Sequence, residues 1–151
     1  MESQDNAHNK YCTQREAALQ GIITRQMECV AQKEKQTPEE IRAGIAAGTI
    51  AIPCNKNHLS LSPEGVGHGL RTKINVNLGI SGDSSDYDRE MEKVSIALKY
   101  HADAIMDLSN YGKTDMFRKA LINKSAAMIG TVPVYDAIGY LEKDLLKITA
   151  E

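Results

Sequence analysis

Three side chains, Asn77, Met106 and Tyr135, stand 29 residues apart, each at or just beyond the end of a short apolar run. The runs are Leu70–Gly79, Ala102–Leu108 and Met128–Val134. In the first, Ile74, Val76 and Leu78 alternate with polar residues, which is the period of a strand. Helical spacing fills the intervals: Met91, Val94 and Leu98, then Met116, Ala120 and Leu121, and after the last run Ile138, Leu141, Leu145 and Ile148. One strand and one helix per repeat predicts βαβ units, and these build a parallel α/β sheet through right-handed crossovers.

Upstream, Met1–Gln14 is polar and reads as a disordered start. From Arg15 a helical pattern runs through Ala18, Leu19, Ile22 and Ile23, and Thr24 caps a second helix reaching Glu34. Thr37-Pro38-Glu39-Glu40 is a capping box with proline at the first helical position, and Gly48 ends that helix. Thr49–Pro53 then reads as a short buried strand, giving about four parallel βα units in all. Further on, Ser84 or Ser85 is the expected cap of the helix that buries Met91.

An open doubly wound sheet and a barrel both fit this order. Functional side chains at the strand ends favour the barrel: Asn55 and Asn57, Asn75 and Asn77, Met106, Asp107 and Ser109, Thr131 and Tyr135. A closed (β/α)8 barrel of the TIM type needs eight strands, so residues 15–151 are expected to form half of one, with an open sheet edge.

Charge narrows the function classes. With 18 basic and 20 acidic residues the formal net charge is -2, which does not suit a nucleic-acid or membrane-surface binder. No run is long enough to span a membrane, and Met1–Lys10 lacks the apolar core of a signal peptide, so a cytoplasmic protein is expected. Cys12, Cys29 and Cys54 are too scattered for a disulfide framework or a zinc or iron–sulfur ligand set, and read as reduced thiols.

Several segments carry specific patterns in order: Gly21-Ile22-Ile23-Thr24 with Met27-Glu28, Ile52-Pro53 with Asn55 and Asn57-His58, Gly69 to Gly79, Ala102 to Ser109, and Gly130 to Tyr135. Together they resemble the radical SAM family of phosphomethylpyrimidine synthase and its relative 5-hydroxybenzimidazole synthase. The resemblance covers the chain from about Arg15 onward and only the N-terminal half of the family's barrel. It implies 5-aminoimidazole ribonucleotide as substrate, with S-adenosylmethionine, a [4Fe-4S] cluster and zinc or another divalent metal as cofactors. It also implies a homodimer when the protein is full length. The family's substrate-contacting Asn, Met and Tyr fall on Asn77, Met106 and Tyr135. Its cluster cysteines, metal-binding histidines and Ser-Arg-Gly loop have no counterpart in this chain, so metal and cofactor ligands are expected in a missing C-terminal half.

Ser109-Asn110-Tyr111-Gly112-Lys113-Thr114 and the Asp136 that follows Tyr135 depart from the thiamine enzymes' usual pattern. They favour the 5-hydroxybenzimidazole branch, a step toward the lower ligand of anaerobic cobamides. The thiamine pyrimidine branch is the alternative. A non-catalytic interaction module derived from such an enzyme is the reading from another class.

Each candidate has a plain reading beside the functional one. Asn77 can donate to and accept from a ribotide, or simply form a turn before Gly79. Met106 can pack on a flat ring, or fill core. Tyr135 can hydrogen-bond a ligand, or open a helix with its hydroxyl at the surface. His58 and His68 are of a metal-ligand type, but read as lone loop histidines. Gly65, Gly67 and Gly69 can cradle a phosphate with backbone N–H groups, but read as a flexible crossover, and Lys113-Thr114 as a helix start. Arg71 and Lys73 can meet phosphate or pair on the surface. Asp107 is a possible acid or orienting group, or a backbone partner.

Overall fold

The computed structural model describes residues 11–83, 85–112 and 114–141. The chain divides into two compact units, residues Met1–Pro53 with Pro63–Thr72, and Cys54–Ser62 with Lys73–Glu151.

The first unit holds helices α1 (Gln14–Leu19), α2 (Arg25–Glu34) and α3 (Pro38–Ala47) and the short strands β1 (Ile50–Ala51) and β2 (Val66–Gly67). Thr13 accepts from the Glu16 N–H, so helix begins inside the stretch expected to be disordered; residues 1–10 lie outside the described residues. The expected helix through Ile23 stops at Leu19, where Gly21 turns the chain at φ 77° and Arg42 donates to the Ala18 carbonyl at 3.0 Å. Thr24 caps α2, and the Thr37–Glu40 capping box closes both ways before Pro38. Glu40 is held below the ordinary carboxylate value by the backbone and hydroxyl hydrogen bonds of Thr37. The helices bury Ala17, Ala18, Met27, Val30, Ile41 and Ile45, the one-sided stripes of amphipathic helices.

One expectation fails in this unit. The Thr49–Pro53 run does not start a parallel βα series. β1 pairs antiparallel with β2, in register Ile50 with Gly67 and Ala51 with Val66. The His68 N–H donates to the Thr49 carbonyl at 3.0 Å. Pro53 has no N–H to carry a longer ladder, and the strand stops after two residues. Nor are Arg71 and Thr72 in a strand. The Arg71 N–H donates to Glu34 at 2.8 Å, and its guanidinium lies 3.6 Å from Glu64, which also pairs with Lys33 at 2.5 Å.

The second unit is a parallel sheet of β3 (Asn75–Leu78), β4 (Ala104–Asp107) and β5 (Met128–Thr131), in the order β3-β4-β5. Helices α4 (Tyr87–Lys99), α5 (Thr114–Lys124) and α6 (Pro133–Leu141) alternate with the strands. Asp86, not a serine, caps α4 by accepting from the Arg89 N–H at 3.0 Å; Ser84 and Lys113 lie outside the described residues. Leu78, Ile80, Val94, Ala97, Ile105, Phe117 and Leu121 make the core, with Val76, Met91, Leu98 and Ile129 packed against it. On α5 the buried positions are Phe117 and Leu121, while Met116, expected inward, is exposed. α6 starts at Pro133, two residues before Tyr135, because proline at the first helical position needs no N–H partner. Leu145 and Ile148, expected on its apolar stripe, lie outside the described residues.

The architecture is therefore α/β with three parallel strands among the described residues, not the four expected. No described helix is long and apolar enough to cross a membrane.

Candidate functional site

Strand alternation gives the sheet two unlike faces. Val76, Leu78, Ile105 and Ile129 meet the helical core. The intervening positions on the other face are Asn75 and Asn77 on β3, Ala104 and Met106 on β4, and Met128 and Gly130 on β5. Parallel register aligns Asn77 with Met106 and Met106 with Gly130. Two of the three residues expected from sequence thus share one rung, although they lie on separate strands.

Gly130 completes that rung. A Cβ built on it would lie 2.8 Å from the Met106 sulfur and 2.9 Å from its methyl carbon. The thioether lies across the glycine, so any side chain at 130 would displace it. Sequence spacing singled out Met106, and Gly130 was missed; the signal was a glycine inside a strand, a mark of close approach.

Asn77 is exposed, and the Asn75 amide nitrogen donates to its side-chain oxygen at 2.7 Å. That bond leaves the Asn77 NH2 group as the donor available to a ligand. Tyr135 is 38% exposed and lies in the first turn of α6, with its N–H donating to the Val132 carbonyl at 2.9 Å. It is carried on the helix that follows β5 and not on the rung itself.

Beneath this face, the strand ends are tied by buried polar groups. Asp107 faces the helices; its side chain is fully buried, and one oxygen accepts from the Ser109 N–H at 3.0 Å. Its other oxygen accepts from Arg118 Nε at 3.1 Å. Ser109 Oγ accepts from the Ile80 N–H at 3.0 Å, linking the loops after β3 and β4. Arg118 reaches on to Asp136, with nitrogen–oxygen distances of 2.8 and 2.7 Å. Of the readings open for Asp107, the structure shows the backbone partner, with Arg118 as a second, charged partner.

The charges respond accordingly. Burial pushes the Asp136 carboxyl up, but hydrogen bonds from Arg118 and Thr114 and the guanidinium charge outweigh it and hold the group below its ordinary value. The hydrogen bond with Asp136 raises Arg118, against burial, with Asp107 and Asp136 adding attraction. A carboxyl with a depressed folded pKa stabilises fully above the unfolded value of about 3.9, and that contribution fades as pH falls through the folded value. Arg118 stays charged throughout the working range. Urea midpoints at pH 7 should therefore be higher for the parent than for Asp136→Asn, and the gap should close on acidification below about pH 4. A gap that is the same at both pH values would contradict the assignment.

The remaining sequence candidates lie elsewhere. Asn55 and Asn57 are exposed, with the Asn55 side chain accepting from the Asn57 N–H at 2.9 Å in a local turn. His58 is buried, and its Nε2 lies 2.7 Å from the Ser125 carbonyl. A carbonyl only accepts, so that nitrogen carries the proton and is not a lone-pair ligand. His68 is exposed beside β2. Cys12 is exposed, Cys29 and Cys54 are half-buried, and all three are free. Among the described residues no group of three or more His, Cys, Asp or Glu side chains could hold a metal ion.

A groove of about 380 Å³ runs beside β3, one of the two outer strands, and takes in Ile74, Lys93, Ile96 and Tyr100. Its walls are mostly apolar; Asn77 lines it, and Met106 and Tyr135 do not.

The model of the radical SAM ThiC family matches residues 13–151. The chain is 60% identical over 141 residues to the phosphomethylpyrimidine synthase of Clostridioides difficile (strain 630), covering 93% of this chain and 33% of that protein. It is 59% identical over 140 residues to the phosphomethylpyrimidine synthase of Alkaliphilus oremlandii (strain OhILAs), covering 93% and 32%. To that of Campylobacter jejuni (strain RM1221) it is 58% identical over 139 residues, covering 92% and 32%. The chain spans about a third of the length of these curated relatives.

Proposed function

This chain belongs to the radical SAM ThiC family, and we propose that it forms one wall of the substrate site of a phosphomethylpyrimidine synthase. The substrate on this reading is 5-aminoimidazole ribonucleotide, and the product is the phosphorylated pyrimidine of thiamine. The observation that carries the reading is 60% identity to proteins of that name across 93% of the chain. It favours the pyrimidine branch over the 5-hydroxybenzimidazole branch suggested by Ser109–Thr114 and Asp136.

Asn77 donates its NH2 to an acceptor on the ribotide, Met106 packs against a flat face of it, and the Tyr135 hydroxyl makes a second polar contact. The three parallel βα units are part of a barrel that the rest of a longer enzyme completes. Further strands would add at the β3 edge, where Ile74, Ile96 and Tyr100 are exposed. Assembly as a homodimer is part of the same proposal.

Family membership implies S-adenosylmethionine and an iron–sulfur cluster, which together supply a radical when bound. The described residues offer no ligand set for a cluster or a divalent metal, so no step is assigned through either on this chain. Their ligands are proposed to lie in the remainder of the longer enzyme.

The test is product analysis of the full-length enzyme, reconstituted anaerobically with the ribotide and S-adenosylmethionine. Hydroxymethylpyrimidine phosphate is expected, and 5-hydroxybenzimidazole would overturn the branch. Asn77→Asp exchanges the donor for a charged acceptor and should weaken ribotide binding about tenfold or more. Unchanged binding would remove Asn77 from the site.

A further inference from the structure

We propose that Arg118 is a positioning residue that fixes Tyr135 relative to Met106 by clamping the carboxylates of their chain neighbours, Asp136 and Asp107. The inference rests on reading Met106 and Tyr135 as one ligand wall.

Met106 and Asp107 are adjacent on β4, so their side chains leave opposite faces of the sheet. A force on the buried Asp107 carboxylate therefore acts on the strand segment that presents Met106. Tyr135 and Asp136 are likewise adjacent in the first turn of α6. Arg118, on α5, acts on these segments through the carboxylates of Asp107 and Asp136. It bonds Asp107 through Nε at 3.1 Å and spans both oxygens of Asp136 through its two terminal nitrogens. The link continues from Asp107 through the Ser109 N–H, and from Ser109 Oγ to the Ile80 N–H, three residues beyond Asn77. One polar chain on the helix side thus ties together the three segments that carry Asn77, Met106 and Tyr135.

The chemistry suits a clamp. A guanidinium holds its donors in a rigid plane, so two carboxylates bound to it are fixed in angle as well as distance. Asp107 is itself buried, as are Ile105 and Phe117 in the same unit. A buried ion pair is weak evidence for stability, since apolar side chains in its place are often as stable. Its yield here is the fixed relation between β4 and α6. A lysine would keep the charge but has a single rotating ammonium that cannot reproduce the fork.

The experiment uses the full-length enzyme, labelled with 3-fluorotyrosine, in parent, Arg118→Lys and Asp136→Asn forms. Tyr135 is assigned as the fluorine resonance lost in Tyr135→Phe. Both variants are expected to shift or broaden that resonance and leave the resonance of Tyr11, in the first unit, in place. In turnover with the ribotide, Arg118→Lys should raise KM at least fivefold and leave kcat within twofold, the pattern of lost ground-state binding. A Tyr135 resonance at the parent position in a folded Arg118→Lys or Asp136→Asn protein overturns the proposal. Should Arg118→Lys fail to fold, Asp136→Asn, at a half-buried position, decides the same question. If the parent turns over no ribotide, the functional reading fails while the fluorine signal still reports whether the clamp holds Tyr135.

Discussion

Replacing Phe117 by alanine will destabilise the protein by about 3–5 kcal/mol, the range for emptying a buried aromatic site. Phe117 is the one phenylalanine of the chain and is fully buried on α5. The Tyr87 ring meets it edge-on at 5.9 Å, joining α4 to α5. Its other neighbours in the core are aliphatic, and no second aromatic ring of the core cluster stands ready to fill the space. Collapse onto Leu121 and Ile105 would have to move a strand and a helix, so part of the cavity will remain. The neighbouring Met116 is 60% exposed, and Met116→Ala should change stability by less than about 0.5 kcal/mol. Urea unfolding followed by circular dichroism tests both, since the chain has no tryptophan to report by fluorescence. Equal losses at 116 and 117 would show that α5 presents a different face to the sheet.

Gly79→Ala is expected to be comparably damaging, and to reach the site as well. Gly79 follows β3 at φ 146°, where an L side chain is strained, a cost of about 1–3 kcal/mol. A Cβ there would also lie 2.5 Å from the Ser109 nitrogen and 2.8 Å from the Leu108 carbonyl carbon. These are backbone atoms, so relief requires the loops after β3 and β4 to part, and overpacking adds about 1–3 kcal/mol. That junction holds the Ile80 to Ser109 bond and the Leu108 to Leu78 bond at 2.8 Å. Asn77 is two residues away, so ribotide affinity should fall together with the urea midpoint. A variant of parental stability and affinity would show that the junction does not set the rung.

Much of the local structure was legible because it depends on neighbours in sequence. Thr24, Thr37, Pro38 and Gly48 mark helix ends by hydrogen bonds and backbone angles within a few residues. The alternation of Val76 and Leu78 gives the buried face of β3 directly. Errors arose where a distant partner decides. Thr49–Pro53 has the apolar character of a buried strand, but its partner is β2, and pairing direction is not encoded in one strand's composition. Met116 and Phe117 both satisfy a loose helical pattern, and only the sheet against α5 selects between them.

The site divides in the same way. By itself, the sequence determined that Asn77, Met106 and Tyr135 recur at equal intervals near successive strand ends, because equal βα units return the chain to the same edge. Only the tertiary structure decided that Asn77, Met106 and Gly130 share a rung, since register is a relation between strands. It also brought Asp107, Arg118 and Asp136 together across separations of 11 and 18 residues. No local pattern joins those three residues; their charges meet because β4, α5 and α6 pack side by side.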